Sequence, residues 1–146
     1  MIALRLVRLI ESHSEKLSDD LVQKILHDER TREFLRVPAG ELHERCHEIY
    51  RHLSDWLISK TERDVATVYG RVGGRRAEQS VPLPALIWAL ILTKEHLWDF
   101  LEREEIRSSI DLFGELELLR SLDQFFDRAI YHAAQGYQHA RMAAAV

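Results

Sequence analysis

The stretch 81-VPLPALIWALIL-92 is the one long apolar run in the chain, and the fold follows from what that run is able to be. A membrane-spanning helix needs about 20 apolar residues; this run is shorter and contains two prolines, so it is a buried helix of a globular domain. Extended along its periodicity, it reaches from about Leu83 to Glu104 and is the most apolar helix of the chain. Outward from it the spacing of apolar residues is helical almost everywhere. Gly and Pro are scarce, there is no Asn-Gly or Asp-Gly hairpin signal, and no segment alternates as a strand does. The expectation is an all-α fold, a single-domain bundle of five to six helices ending in a long C-terminal helix. With 146 residues, 46% hydrophobic and 30% charged, the chain can bury one sizeable core, so residues 1–146 are taken as one helical domain.

The other helices are placed by their start and stop signals. The first carries Leu6, Leu9, Ile10 and His13, and a second starts at Ser18 with Asp19 and Asp20 at its positive end, with no strong break between the two. Residues 27–40 are polar, end in Pro38 and Gly40, and form a connection with room for one helical turn. A third helix runs to about Ser59, with Leu42, Cys46, Ile49, Leu53, Trp56 and Leu57 on its core face. Ser59-x-x-Glu62 and Thr61-x-x-Asp64 have capping-box spacing and start a fourth, which stops near Ser80 ahead of Pro82. Ser108-x-x-Asp111 marks the start of a sixth.

Composition excludes several function classes. A net charge of −4 with acids and bases interspersed provides no field for nucleic acid or an anionic membrane, so neither is expected as a partner. The N-terminus MIALRLVRLIE is interrupted by Arg5 and Arg8 and lacks a small-residue cleavage site, which points to the cytoplasm. Cys46 is the single cysteine; it excludes an internal disulfide and fits a reducing compartment.

One motif suggests chemistry. The stretch 41-ELHERCHEIY-50 holds H-E-x-x-H, whose histidines lie one helical turn apart and, in zinc peptidases, bind the metal while the glutamate activates its water. Such enzymes need a third protein ligand, and the best-defined subclass continues with glycine and histidine where this chain has Tyr50 and Leu53. Arg45 also stands between the histidines, Glu44 points nearly away from the core, and neither His13, His96 nor His132 can be selected as a further ligand. His43 and His47 are therefore read as a boundary pair, with metal binding as the alternative. No nucleophile elbow, phosphate loop or activated cysteine is present. No enzyme activity and no cofactor are expected.

The fourth and fifth helices carry the most information. Ala66, Gly70, Gly73 and Ala77 form a stripe of small residues that lets another helix approach closely. Beside it Val65, Tyr69 and Val72 lead to Arg76, an arginine at the end of an apolar row, for which Glu95 and Asp99 are the expected carboxylate partners. Arg75, Arg76, Glu95, His96, Trp98 and Asp99 are accordingly the candidate ligand or interaction residues, beside the plain alternative of a structural salt bridge and a satisfied core histidine.

The succession Gly-x-Arg-Arg-Ala-Glu-Gln, Val-Pro-Leu and an apolar helix ending in Leu-Trp, within 73-GGRRAEQSVPLPALIWALILTKEHLWDFLE-102, resembles the N-terminal domain of the RsbRD-type co-antagonists of the RsbT switch kinase. Residues 121-SLDQFFDRAIYHAAQGYQ-138 are similar to the helix with which such domains end. The resemblance covers most of the chain, with its signature from Gly74 to Trp98. It implies a non-enzymatic sensory or regulatory input domain reporting to a downstream module, a STAS domain in the named co-antagonists or a kinase elsewhere, in control of a bacterial stress response. It transfers no catalytic residue. Since the chain stops at Val146 without such a module, it is expected to be either an excised domain or a stand-alone relative whose output is a binding event.

The last helix fits signalling on its own terms. Leu112, Leu119, Phe126, Ala133 and Ala140 recur every seven residues, accompanied by Leu122, Ala129 and Gly136, a seam that narrows from large to small side chains. An unbroken helix of this length would be a rod of about 50 Å, and the seam together with the small stripe of the fourth helix predicts a homodimer. The alternative is that Gly114 or Gly136 interrupts it and both halves pack on their own bundle. Behind the regulatory domain stand a metal- or haem-binding helical sensor and then a zinc hydrolase using His43 and His47.

Overall fold

The computed structural model describes residues 4–104 and 112–145, with side chains from 116 onward in the second stretch. The architecture is all-α. In chain order come α1 (Leu4–Ser12), α2 (Ser14–His27), a 3₁₀ stretch (Glu29–Arg36), α3 (Ala39–Arg51), a π-helical turn (Asp55–Ser59), α4 (Glu62–Glu78), α5 (Leu83–Glu104) and α6 (Leu112–Ala144). Among the described residues no strand occurs, and no helix is long and apolar enough to cross a membrane. The start expected at Ser108-x-x-Asp111 lies outside the described residues.

Local chemistry accounts for most boundaries. Thr61 closes a full capping box on α4: its hydroxyl accepts from the Asp64 amide at 3.2 Å and its own amide donates to the Asp64 carboxylate at 2.8 Å. At the other end, the Ser80 amide donates to Ala77 and the Val81 amide to Arg76, both at 3.0 Å. These two bonds form a Schellman turn, and they place Ser80 at φ 59°, the left-handed conformation that favours glycine. The expected stop near Ser80 is therefore set by a turn that releases the chain toward Pro82.

Several boundaries differ from expectation; the third helix, expected to run to about Ser59, ends as α-helix at Arg51 and gives way to the π-helical turn Asp55–Ser59. α1 and α2 are separate, broken at His13 (φ −105°, ψ 14°), and α2 starts at Ser14 rather than Ser18. Ser18 is fully buried and its hydroxyl donates to the Ser14 carbonyl at 2.6 Å, so it serves inside the helix and does not cap it. The connection at 27–40 holds more helix than one turn. Asp28 caps the 3₁₀ stretch by accepting from the Arg30 amide at 2.8 Å, and Phe34 anchors the stretch in the core.

α5 runs against α2 and the 3₁₀ stretch and also meets α6, burying Leu86, Leu90, Leu97 and Phe100. The expected face of the third helix is likewise inside: Leu42, Cys46, Ile49, Leu53 and Trp56 are buried, and Leu57 packs at the edge. Truncating any such large aliphatic side chain to alanine is worth about 2–5 kcal/mol.

The tightest contact of the molecule is α4 against α6. A Cβ added to Gly73 would lie 1.9 Å from the Ala133 carbonyl oxygen, and one added to Gly136 would lie 2.0 Å from the Gly70 oxygen, so the two backbones touch directly. The small stripe does admit a close neighbour, and that neighbour is the same chain. The heptad row is used in the same way: Phe126 and Ala133 are buried, Leu119 and Ala140 pack at the core edge, and the Leu112 side chain lies outside the described residues. α6 continues through Gly114 and Gly136 without a break. Along Ala133, Gly136 and Ala140 the two faces assigned to a homodimer are thus in contact with each other inside one bundle. The physical reason is that small residues opposite small residues allow backbone contact whether the partner helix is on another chain or on this one.

Candidate functional site

Glu41 stands in the first turn of α3 and reaches the last turn of α4, where the sequence places two consecutive arginines. Arg76 is buried, with 3% of its surface exposed, and donates from Nη1 to Glu41 Oε2 at 2.6 Å and to Gln79 Oε1 at 2.8 Å. Gln79 Nε2 donates to the same Glu41 oxygen at 2.9 Å, and exposed Arg75 donates to both Glu41 oxygens at 3.1 and 3.3 Å. The Arg75 guanidinium, with Arg76 and Gln79 behind it, holds the Glu41 carboxyl down at about 2 against the cost of partial burial. For Arg76 burial is the largest influence and lowers its pKa, while Glu41 opposes it; the guanidinium also lies 5.8 Å from the Phe34 ring centre.

Arg76 was expected to meet Glu95 or Asp99; its carboxylate is Glu41 instead. Glu95 is exposed on α5, and Asp99 pairs with Lys24 at 3.6 Å. Sequence reasoning passed over Glu41 and Gln79, although Gln79 stands one helical turn after Arg76, where a side-chain bond is normal. The pocket beside this network measures about 470 Å³ and is lined by Arg45, Arg71, Arg75 and Arg76 with Glu41, Glu44, Val68 and Val72. With Arg75 and Arg76 held by Glu41 and with Glu44 also in the lining, the four guanidinium groups leave an excess of positive charge that suits a carboxylate or phosphate group. Nothing in it is a nucleophile, and burial pushes the nearby Cys46 thiol up to about 12, far from a reactive thiolate.

His96 belongs to a different cluster, on the α2 side of α5. Its Nε2 donates to the Leu17 carbonyl at 3.1 Å, which leaves Nδ1 as the acceptor of Lys24 Nζ at 2.7 Å. Burial first, and the Lys24 ammonium second, lower its pKa, so the ring is neutral and satisfied. Trp98 is half-buried on the same helix. The set Arg75, Arg76, Glu95, His96, Trp98 and Asp99 therefore divides between two places and does not form one site.

The H-E-x-x-H motif falls on α3. Its histidine rings stack 5.9 Å apart and face α2, whereas Glu44 lines the arginine pocket. The glutamate that would activate a metal-bound water is thus turned away from the histidines. Of the further ligands considered, His13 is exposed with Nδ1 on the Leu9 carbonyl, His96 is engaged as described, and His132 pairs with Glu62 at 3.4 Å. The carboxylates that do approach the pair are Glu15 and Asp19 of α2, neither of which the sequence marked as a companion of the histidines.

Against known families, the model of the RsbT co-antagonist protein rsbRD N-terminal domain matches residues 15–146. No curated protein and no solved structure matches the chain.

Proposed function

The chain belongs to the RsbT co-antagonist protein rsbRD N-terminal domain family, and from that premise we propose that it is a non-enzymatic, cytoplasmic input domain of a bacterial stress-response switch. The match, which extends over α2 to α6, is the observation that carries this. In this proposal the chain binds a partner or ligand and passes the event on as a change in helix packing, to a STAS or kinase-type module. The arginine pocket between α3 and α4 is its binding surface, with Arg75 and Arg71 exposed to the partner and Arg76 fixed beneath them. A homodimer remains part of the proposal, now through the outer face of α6, where Leu116, Tyr131 and Met142 are exposed. The absence of a nucleophile in the pocket and the position of Glu44 support a binding role over hydrolysis.

The test is genetic. Deleting the coding sequence should change the amplitude of a stress-regulon reporter under graded stress, and an Arg71→Glu, Arg75→Glu variant should fail to restore it. An unchanged reporter in the deletion strain would overturn the proposal.

A further inference from the structure

Two i, i+4 pairs face each other across the α2–α3 contact. Glu15 and Asp19 project from α2, His43 and His47 from α3, each pair one helical turn apart and so on one helix face. His43 Nε2 lies 2.8 Å from Asp19 Oδ1 and 3.6 Å from Glu15 Oε1, and His47 Nε2 lies 3.2 Å from Glu15 Oε2. One donor atom from each of Glu15, Asp19 and His43 falls within 4.8 Å of the others. Around a tetrahedral ion with bonds of about 2.0–2.1 Å, donor atoms stand roughly 3.3 Å from one another, inside the spread seen here.

We propose that Glu15, Asp19, His43 and His47 form a binding site for a divalent transition-metal ion of the zinc class, clamped between α2 and α3. Imidazole nitrogen with carboxylate oxygen is a borderline donor set, suited to Zn²⁺ and its neighbours and poorly suited to Mg²⁺ or Ca²⁺, which take oxygen. Three donors are already within reach of one ion; His47 Nε2, now 3.2 Å from Glu15 Oε2 and 3.3 Å from the Ser14 hydroxyl, supplies the fourth by turning from Ser14 toward Asp19 and His43. The histidines are half-buried and the carboxylates open, with side-chain exposures of 31% and 16% against 70% and 62%, so an ion can enter from solvent and exchange. With Glu44 on another face, the glutamate of the motif is not placed to act on water at the ion, and the site is regulatory or structural in kind. The site rests on this geometry and stands independently of a role in stress signalling.

Protein purified without an affinity tag and stripped of metal is titrated with ZnCl₂ by calorimetry, with MgCl₂ as the comparison. One equivalent of zinc should bind, with no matching magnesium signal, and the zinc X-ray absorption spectrum should show imidazole and carboxylate donors. His43→Gln and Asp19→Asn should each weaken binding at least about tenfold. His132→Gln, at the separate His132–Glu62 pair, should leave it unchanged. Circular dichroism matching the unaltered chain confirms that the variants fold. No zinc binding at about 100 µM would overturn the site. So would several weak equivalents that His43→Gln and Asp19→Asn do not affect.

Discussion

Replacing Gly73 with alanine tests the α4–α6 contact most sharply. The new methyl would lie 1.9 Å from the Ala133 carbonyl oxygen and 2.8 Å from the Tyr137 amide nitrogen. A carbon meets a carbonyl oxygen at about 3.3 Å, so the helices must separate by roughly 1.4 Å along this line. No rotamer relieves the clash, because both obstacles are backbone. Separation would loosen the packing of Phe126, Ala129 and Ala133 against Val65, Tyr69 and Val72, the buried faces of the two helices. Overpacking typically costs about 1–3 kcal/mol and here, where two backbones cannot yield, roughly 3–5 kcal/mol, while alanine regains about 1 kcal/mol of helix propensity, for a net loss near 2–4 kcal/mol. In a chain of this size that lowers Tm by roughly 5–12 °C. Gly70→Ala, three residues earlier on α4, is the internal control: its Cβ meets nothing within 4 Å. It should be neutral or stabilise by up to about 1 kcal/mol. Urea unfolding of both variants decides the matter. Equal stability of Gly73→Ala and the unaltered chain, or a larger loss for Gly70→Ala, would refute the backbone contact.

Ser80→Gly should raise stability by roughly 1 kcal/mol in thermal unfolding, because it relieves a left-handed residue in the Schellman turn and leaves the backbone bonds in place. Glu41→Gln should cost about 3 kcal/mol, since it strands the buried Arg76 charge. The folded Glu41 carboxyl titrates near 2 instead of 4.5, so its contribution is present above about pH 4.5 and is lost as the pH falls toward 2. Glu41→Gln should remove that part of the acid dependence, visible in urea midpoints measured across the window. His96 is depressed from 6.5, so the folded form resists a proton that the unfolded form accepts. Stability should fall as the pH drops below about 6.5, and nuclear magnetic resonance titration should find the His96 ring protonating below the ordinary imidazole value of 6.5.

Some of this was legible in the sequence because the determinants are local. The Thr61–Asp64 box, Pro82 and the apolar run from Leu83 each act within one or two turns, and α4 and α5 lie where those signals put them. The break at His13 has no such signal, since helical spacing continues across it. The Arg76 partner was hidden for a different reason: Glu41 precedes it by 35 positions and meets it only because α3 packs beside α4. The stripe of Gly70 and Gly73 correctly announced a close helix neighbour, but periodicity carries no information on whether that neighbour is on the same chain. The same limit concealed the companions of His43 and His47. Glu15 and Asp19 have the i, i+4 spacing of a ligand pair, yet only the α2–α3 contact makes them neighbours of the histidines.

Calorimetric titration of the purified chain with an RsbT-type switch kinase, and separately with a STAS module, tests the regulatory role most directly. Saturable binding to one of them, weakened at least about tenfold by Arg71→Glu with Arg75→Glu, is the predicted result, since opposed charge at a desolvated contact costs more than about 1.4 kcal/mol. Absence of binding to either, by protein whose fold is intact, would contradict the account.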